Sequence, residues 1–419
     1  MTAGRAGQGT NSVQIRQYNQ RLVLQRLRRL GRASKADLAR AAGLTNSAVG
    51  QIVAELEAFG LVETVGKRHE GQRGQPATLL QINPAGAFGI GVRIDRSRIE
   101  TVLADLGGRI IAEHTHDLDL PPPDRALEIV RQDIESLLVL CPPETRRRVM
   151  GIGLARPFNL GSWLRLLDLS NVESLKAWDQ TDFAAALARE TSLTVFDEND
   201  GTAGAIAELF YGVGHRADDF FYLFVGPCIG GGLALDGECR RGLTDNAGDV
   251  AVIPVGPSGL ASAPALAGRT EILLTRASIN ALIRHLRHHG HGVSGLGDLP
   301  ATMARHRGLV LEWIEDCAAA LVGPILSMQA LLDVPLVVID SDLDRSWIGL
   351  LIERTNAHLA QAVAEARRPP RLVVGSFGAY AGALGAASLP LFVHFGPRAG
   401  LLTGDVNAFR GVRDHVPPA

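Results

Sequence analysis

Between residues 193 and 235 the chain runs from a short apolar strand into four polar residues, Asp197-Glu198-Asn199-Asp200, and then into a helix that opens on small side chains, GTAGAIAE. A second apolar strand, FYLFVG, follows, and then Gly230-Gly231-Gly232, which reads as the glycine turn of a hairpin. Strand, polar corner, helix and strand in that order commit the segment to α/β layering. They also put Asn199 and Asp200 where a strand ends and a helix begins, a position from which both side chains can enter a cleft. A carboxylate beside a carboxamide can accept and donate several hydrogen bonds to hydroxyl groups. The alternative is that the pair merely caps the helix.

The same alternation extends through most of the chain. Residues 89–94, 99–105, 149–155, 193–196, 220–225, 232–235, 336–339 and 372–374 read as strands, and helical spacing covers 124–140, 183–189, 202–211, 271–288, 301–332, 347–367 and 379–389. Hairpins followed by helices, twice over, predict two α/β lobes flanking a cleft within residues 86–395, with a C-terminal tail over 396–419. The first 11 residues, rich in Gly, Ala and Thr without periodicity, read as a disordered tail. Residues 12–82 read as a winged helix-turn-helix. A helix ends at Leu30, a capping box at Ser34–Asp37 opens a short second helix, and Thr45 caps a third that runs to Phe59. Two short strands then flank a basic wing.

Charge separates head from body. Residues 1–85 carry 12 Lys and Arg against 5 Asp and Glu, whereas the remainder carries 30 against 39. A basic head on an acidic body points to a polyanionic partner. The third helix holds no Lys or Arg, which leaves Asn46, Ser47 and Gln51 to read bases; Asn and Gln pair well with adenine. Lys67, Arg68 and Arg73 on the wing, with Arg26, Arg28, Arg29 and Arg32, would supply phosphate contacts. Cys141, Cys228, Cys239 and Cys317 are scattered without CxxC spacing, which argues against a disulfide framework and suits a reducing cytoplasm. No apolar run approaches the roughly 18 residues of a membrane span, so a cytoplasmic protein without a membrane partner is expected.

Three segments carry a family resemblance: the head from Asn19 to Val62, DENDGTAGAIAELFYG, and FVGPCIGGGLALDGECRRGLTDNAGDV, with GSFGAYAGALGAASLPLF also fitting. Over nearly its whole length the chain resembles the ROK family of repressors and sugar kinases, within the wider sugar kinase/actin-like fold. The resemblance implies an α/β protein in which a winged helix-turn-helix precedes a two-lobed ROK body. It implies that Asn199 and Asp200 contact sugar hydroxyls, Asp200 standing at the position of the kinases' general base. Asp249 stands where the family's sugar-binding Glu is usual. Arg156 and Asn159, in a segment similar to that of zinc-less ROK proteins, are further sugar-site candidates. Trp163 and Trp178 fit either the cleft or simple lobe packing.

The chain departs from the family in two places. The kinases' first phosphate loop, Asp-x-Gly-Gly-Thr, is replaced by Arg93-Ile94-Asp95-Arg96-Ser97, and a later Gly-Gly gives way near Asp340-Ser341-Asp342. Side chains now fill positions where glycines let backbone N–H groups reach phosphate. The family's zinc-binding His and Cys cluster are replaced by Val252 and by a cysteine-free stretch at 258–263, so no metal and no cofactor is expected. His285 and His289, at i, i+4 spacing, could chelate a metal but read as a solvated helix end. The expectation is a non-enzymatic, sugar-responsive repressor of a carbohydrate-utilisation operon that binds operator DNA as a homodimer or homotetramer. The alternatives are a ROK sugar kinase with an appended DNA-binding head, and an architectural DNA binder whose body only dimerises.

Overall fold

The computed structural model describes residues 12–68, 77–158, 160–161, 172–265, 270–293, 295–362, 368–397 and 412–413. The head comprises α1 (Ser12–Leu30), α2 (Lys35–Ala42) and α3 (Asn46–Ala58), followed by the antiparallel pair β1 (Val62–Arg68) and β2 (Ala77–Ile82). Its helix starts follow the local chemistry. Ser34 Oγ accepts from Asp37 N at 3.2 Å while the Asp37 carboxylate accepts from Ser34 N at 3.0 Å, and Thr45 Oγ1 accepts from Ala48 N at 3.2 Å. Each bond satisfies a helix-start N–H that lacks an intrahelical partner.

The first lobe contains β3 (Phe88–Asp95), β4 (Arg98–Asp105), β5 (Ile110–Asp117), α4 (Pro123–Leu140), α5 (Pro143–Arg146), β6 (Val149–Ala155), α6 (Val172–Trp178), α7 (Phe183–Thr191), β7 (Val195–Glu198) and α8 (Asp200–Tyr211). The second contains β8 (Phe220–Val225), β9 (Ile229–Leu235), β10 (Glu238–Arg240), β11 (Pro254–Val255), β12 (Glu271–Ile272), α9 (Ile279–His288), α10 (Leu299–Arg305), α11 (Arg307–Leu332), β13 (Leu336–Ser341), α12 (Arg345–Ala362) and β14 (Arg371–Val374). Helix α13 (Ala381–Phe395) returns to the first lobe, and β15 (Val412–Arg413) pairs with β7. The sheets run β15-β7-β6-β3-β4-β5 and β10-β9-β8-β13-β14.

Helices α8 and α13 cross tightly because both are made of small residues. A Cβ on Gly385 would lie 2.2 Å from Ala203 O, and one on Gly153 in β6 would lie 1.8 Å from Ala386 O. Helix α13 belongs to the stretch Gly378–Phe395, which is long and apolar enough to cross a membrane, against the sequence expectation. It is 72% buried inside the protein as a core helix.

Four local readings change. The residues Gly230-Gly231-Gly232 lie within β9 and are not a turn; the chain reverses at Gly226-Pro227-Cys228. Helix α9 begins only at Ile279, because Glu271 is held in β12 with its carboxylate on Ser258 N and Thr275 Oγ1. The predicted 301–332 helix is broken at His306. The region 396–419 is not wholly a tail, since Val412 and Arg413 extend the first sheet.

The head does not hang free. Val23, Leu24 and Leu27 of α1 share one apolar cluster with Phe210 of α8 and Leu389 and Phe392 of α13. Arg21 Nη1 donates to Val393 O at 2.8 Å, and Arg29 pairs through both Nη atoms with Asp218. The Arg28 guanidinium lies 3.6 Å from the centre of the Phe210 ring. Arg28 and Arg29, expected to meet phosphate, therefore face the body. Helical spacing marks both as polar but cannot say which partner lies opposite.

Candidate functional site

The cleft is built around the corner that opened the sequence reading. Strand β7 ends at Glu198, and α8 starts at Asp200 with Asn199 as its N-cap, Asn199 Oδ1 accepting from Gly201 N at 2.9 Å. Capping thus coexists with a place in the cavity, which both Asn199 and Asp200 line. The glycine run serves this corner by close approach, not by turning. A Cβ on Gly201 would sit 2.3 Å from Gly231 O, and one on Gly231 would sit 2.8 Å from Gly248 O. Gly231 thereby packs α8's first turn against the 246–249 loop, and Asn246 and Asp249 enter the same cavity, joined by Asn246 Nδ2 to Asp249 Oδ2 at 3.0 Å.

The remaining candidates divide. Arg156 does not line the cavity; it is spent on Asp197, Nη2 to Oδ2 at 2.9 Å and Nε to Oδ1 at 3.3 Å, while the neighbouring Pro157 and Phe158 do line it. Asn159, Trp163 and Arg73 lie outside the described residues. Trp178 is fully buried, donates to Pro121 O at 2.9 Å and packs on Phe183, so it belongs to the lobe core. Asn246, Phe158 and Cys228 are cavity residues that the sequence reading did not select. Asn246 lies three residues before Asp249 in the Asn246-Ala247-Gly248-Asp249 loop.

The other wall is the replaced phosphate loop. Arg93 and Asp95 end β3, and Arg96 follows in the turn to β4. Arg93 is buried, with Nη1 3.0 Å from Glu100 Oε2 and 3.7 Å from Asp342 Oδ1, and Nη2 3.9 Å from Asp95 Oδ2. Burial opposes its charge, but Asp342, Glu100, Asp95 and Asp200 together outweigh that and raise its pKa. Arg96 Nε donates to Leu160 O at 3.1 Å. Outside the cavity lining, in β13, Asp340 gathers backbone donors, its Oδ1 accepting from Gly378 N at 2.8 Å and from Ser341 N at 3.2 Å. Converging backbone N–H groups of this kind are what a phosphate would use, and here a side-chain carboxylate already takes them. Burial and the nearby Glu208 push the Asp340 carboxyl up to about 7 despite those donors.

Within the open part of the cavity, burial and then Asp95 push the Asp200 carboxyl up to about 6, against the pull of Arg93. Glu198, directly behind it, is fully buried beside Arg241, whose Nε lies 2.6 Å from Glu198 Oε2. The stretch at 258–263 is held by Ser258 Oγ on Asp316 Oδ1 at 2.9 Å, beside the buried pair of Arg276 Nη2 with Asp316 Oδ1 at 2.7 Å. In the head, Asn46, Ser47 and Gln51 are exposed on α3 and Lys67 is exposed on β1. Arg68 turns back to Asp37, Nη2 to Oδ2 at 2.9 Å.

The signature of the ROK family spans residues 89–391. The chain belongs to the ROK family. It is 24% identical to the DNA-binding transcriptional repressor Mlc of Escherichia coli, over 77% of this chain and 76% of Mlc. It is 24% identical to the xylose repressor of Bacillus spizizenii, over 56% of this chain and 60% of that protein. Among solved structures, a ROK family transcriptional regulator that is a homologue of E. coli Mlc superposes with a TM-score of 0.65 at 22% identity, over 93% of this chain and all of the other. A ROK glucokinase of Streptomyces griseus, solved with glucose and AMPPNP, gives 0.57 at 19% identity over 72% of this chain and 99% of the other. These likenesses establish the fold: a head of helices and a small sheet ahead of the two-lobed ROK body.

Proposed function

We infer that the chain is a sugar-responsive, DNA-binding transcriptional regulator of the zinc-less ROK type, a cytoplasmic homodimer or homotetramer that represses carbohydrate-utilisation genes and does not phosphorylate its sugar. The observation that carries this reading is the division of one cavity. Asn199, Asp200, Asn246 and Asp249 line part of it with polar side chains, while at its Arg93 wall the guanidinium is neutralised by three carboxylates of the same chain. A nucleotide phosphate would have to enter beside Asp95 and Asp342 and displace Asp340 from its backbone donors, which Coulomb repulsion in a low-dielectric wall opposes. A neutral polyol meets no such obstacle.

Helix α8 supplies the link to DNA. Its first turn carries Asp200 and its last carries Phe210 under Arg28 of the head, about 15 Å apart at 1.5 Å per residue. Arg28 is buried, and its Nε, Nη1 and Nη2 have no hydrogen-bond partner among the described residues. Burial lowers its pKa to about 10, so it stays charged at neutral pH. A buried cation held by a ring face alone is a contact that a small helix shift can break. A sugar that closes the cleft would move α8 and with it α1, changing the spacing of two heads on a duplex, where half-site geometry is strict.

The test is calorimetry of the full chain against monosaccharides, disaccharides and their phosphates, with an ATP-turnover assay on every sugar that binds. Binding without turnover is expected; ATP-dependent phosphorylation that Asp200→Asn abolishes would establish the kinase alternative. The coupling has its own readout. In Phe210→Leu the sugar should bind within a few-fold of normal affinity, yet lose its effect on DNA affinity, a coupling of about 1–3 kcal/mol in regulated proteins.

A further inference from the structure

The sequence reading left His285 and His289 as a solvated helix end. The fold brings a third group to them from α11. His285 is 1% exposed, and its Nε2 faces Glu312 Oε2 at 3.2 Å. The ligand atoms of His285, His289 and Glu312 all lie within 4.8 Å of one another. Two imidazoles and a carboxylate are a donor set that suits a first-row divalent metal.

The buried ring gives the cluster its direction. On its inner side His285 Nδ1 lies 2.9 Å from the Oγ of Ser262, itself buried. With Nδ1–H donated to that oxygen, Nε2 presents a lone pair toward the Glu312 carboxylate. Nε2 has no aligned hydrogen-bond partner among the described residues. In that tautomer two acceptors face each other and a cation between them satisfies both; in the other, Nε2–H has no acceptor in line among the described residues. Metal-bound histidines commonly fix their tautomer by donating the other ring nitrogen to a neighbouring oxygen. The exposed side chains of His289 and Glu312 are free to close to the roughly 3.4 Å separation that bonds of about 2.0–2.1 Å require around a tetrahedral ion.

We propose that His285 Nε2, His289 and Glu312 form a three-ligand site for a single Zn²⁺ ion, with solvent as the fourth ligand, clamping α9 to α11 beneath the loop that carries Ser262. This site is separate from the sugar cavity, whose lining includes none of these residues, and it uses different residues from the zinc cluster the family carries elsewhere.

The experiment is calorimetric titration of the tag-free, metal-stripped full chain with Zn²⁺ alone, repeated with Co²⁺ to record the visible absorption of a low-coordinate ion. Expected are one ion per chain, an intense Co²⁺ band, and binding weakened at least about 10-fold by either His289→Ala or Glu312→Gln. Because both are surface positions, the variants should fold normally. Ser262→Ala, which removes only the oxygen behind His285, should weaken binding about 10- to 100-fold. No saturable binding would overturn the proposal. So would wild-type affinity in His289→Ala or Glu312→Gln, which would place the ion on the other surface histidines.

Discussion

The two sides of the cleft are made of the same chemistry and are put to opposite uses. On the side proposed to hold a sugar, Asn199, Asp200, Asn246 and Asp249 line the cavity while spending part of their hydrogen-bonding capacity within the chain. On the opposite wall, Arg93, Glu100 and Asp340 are buried and paired within the chain, and Asp342 joins the same ion cluster 3.7 Å from Arg93. The difference is therefore not how many charges each side holds but whether their partners belong to the protein. A side whose charges are paired at home is structure; a side whose charges are incompletely paired is a binding surface. Substitutions on the two sides should then be felt in different measurements.

The largest effect is expected on the structural side. Arg93→Met leaves Glu100, Asp342 and Asp95 with only Arg98 nearby, 3.9 Å from Glu100 and from Asp342, and breaking a buried pair in this way costs about 3–5 kcal/mol. Urea unfolding should show that loss, with partial recovery when Glu100→Gln is added. A change below about 1 kcal/mol would mean that these charges are solvated and that the contrast is wrong.

On the binding side the protein should stay folded and lose its ligand. Asp200→Ala removes a charged acceptor from the sugar hydroxyls, a loss of about 1.5–3 kcal/mol, or roughly 10- to 150-fold in affinity. Calorimetry with the sugar found by screening measures it. Unchanged affinity would reduce Asn199-Asp200 to a helix cap. Because head and body share a core through α1, α8 and α13, the same variant is also expected to alter DNA binding without sugar; a head that merely trails on a linker would not register it.

These assignments were unequally legible in the sequence. Strands Val149–Ala155 and Phe220–Val225 and the caps at Ser34 and Thr45 could be read to the residue, since apolar alternation and capping chemistry are local. The corner at Asn199-Asp200 was legible for the same reason. The glycines of β9 were misread because a residue without a side chain leaves no alternation to follow, and their reason, the approach of Gly248 and, across the lobes, of Gly201, is not local in sequence. The long-range partners of Arg28 and Arg93 could not be read, because Phe210 in one case and Asp342 in the other come from a distant part of the chain. Glu312 could not be joined to His285 from spacing at all.

A pH series sharpens the comparison at a single carboxylate. With its pKa near 6, raised by burial and by Asp95, Asp200 is ionised at pH 7.5 and mostly protonated at pH 5. If the anion is the form that accepts the sugar hydroxyl, affinity is full above that pKa and falls as pH drops through it, by about 10-fold one unit below. In Asp200→Asn the profile should flatten over that window. The sign for stability is opposite: a carboxylate raised above its unfolded value favours folding at low pH and loses that contribution as pH rises through 6. Unliganded protein should accordingly gain, not lose, from this group on mild acidification.

The smallest effect carries the same contrast into the head. Lys67 is exposed on β1, whereas its neighbour Arg68 reaches back to Asp37 of the α2 capping box at 2.9 Å. A cation open to solvent can neutralise a phosphate and release a counterion, so Lys67→Ala should lower the slope of log affinity against log salt by about 0.9 for all sequences alike. Arg68→Ala should remove a partly exposed ion pair, about 0.2–1 kcal/mol of head stability, and change the salt slope less. Gln51→Ala, by contrast, should leave the slope alone and relax preference at one or two base pairs. Fluorescence anisotropy on specific and random duplexes at several salt concentrations separates the three. Equal slopes for Lys67→Ala and Arg68→Ala would show that Arg68 leaves Asp37 for DNA on binding. Pairing at home would then hold for buried charges such as Arg93 and not for half-exposed ones.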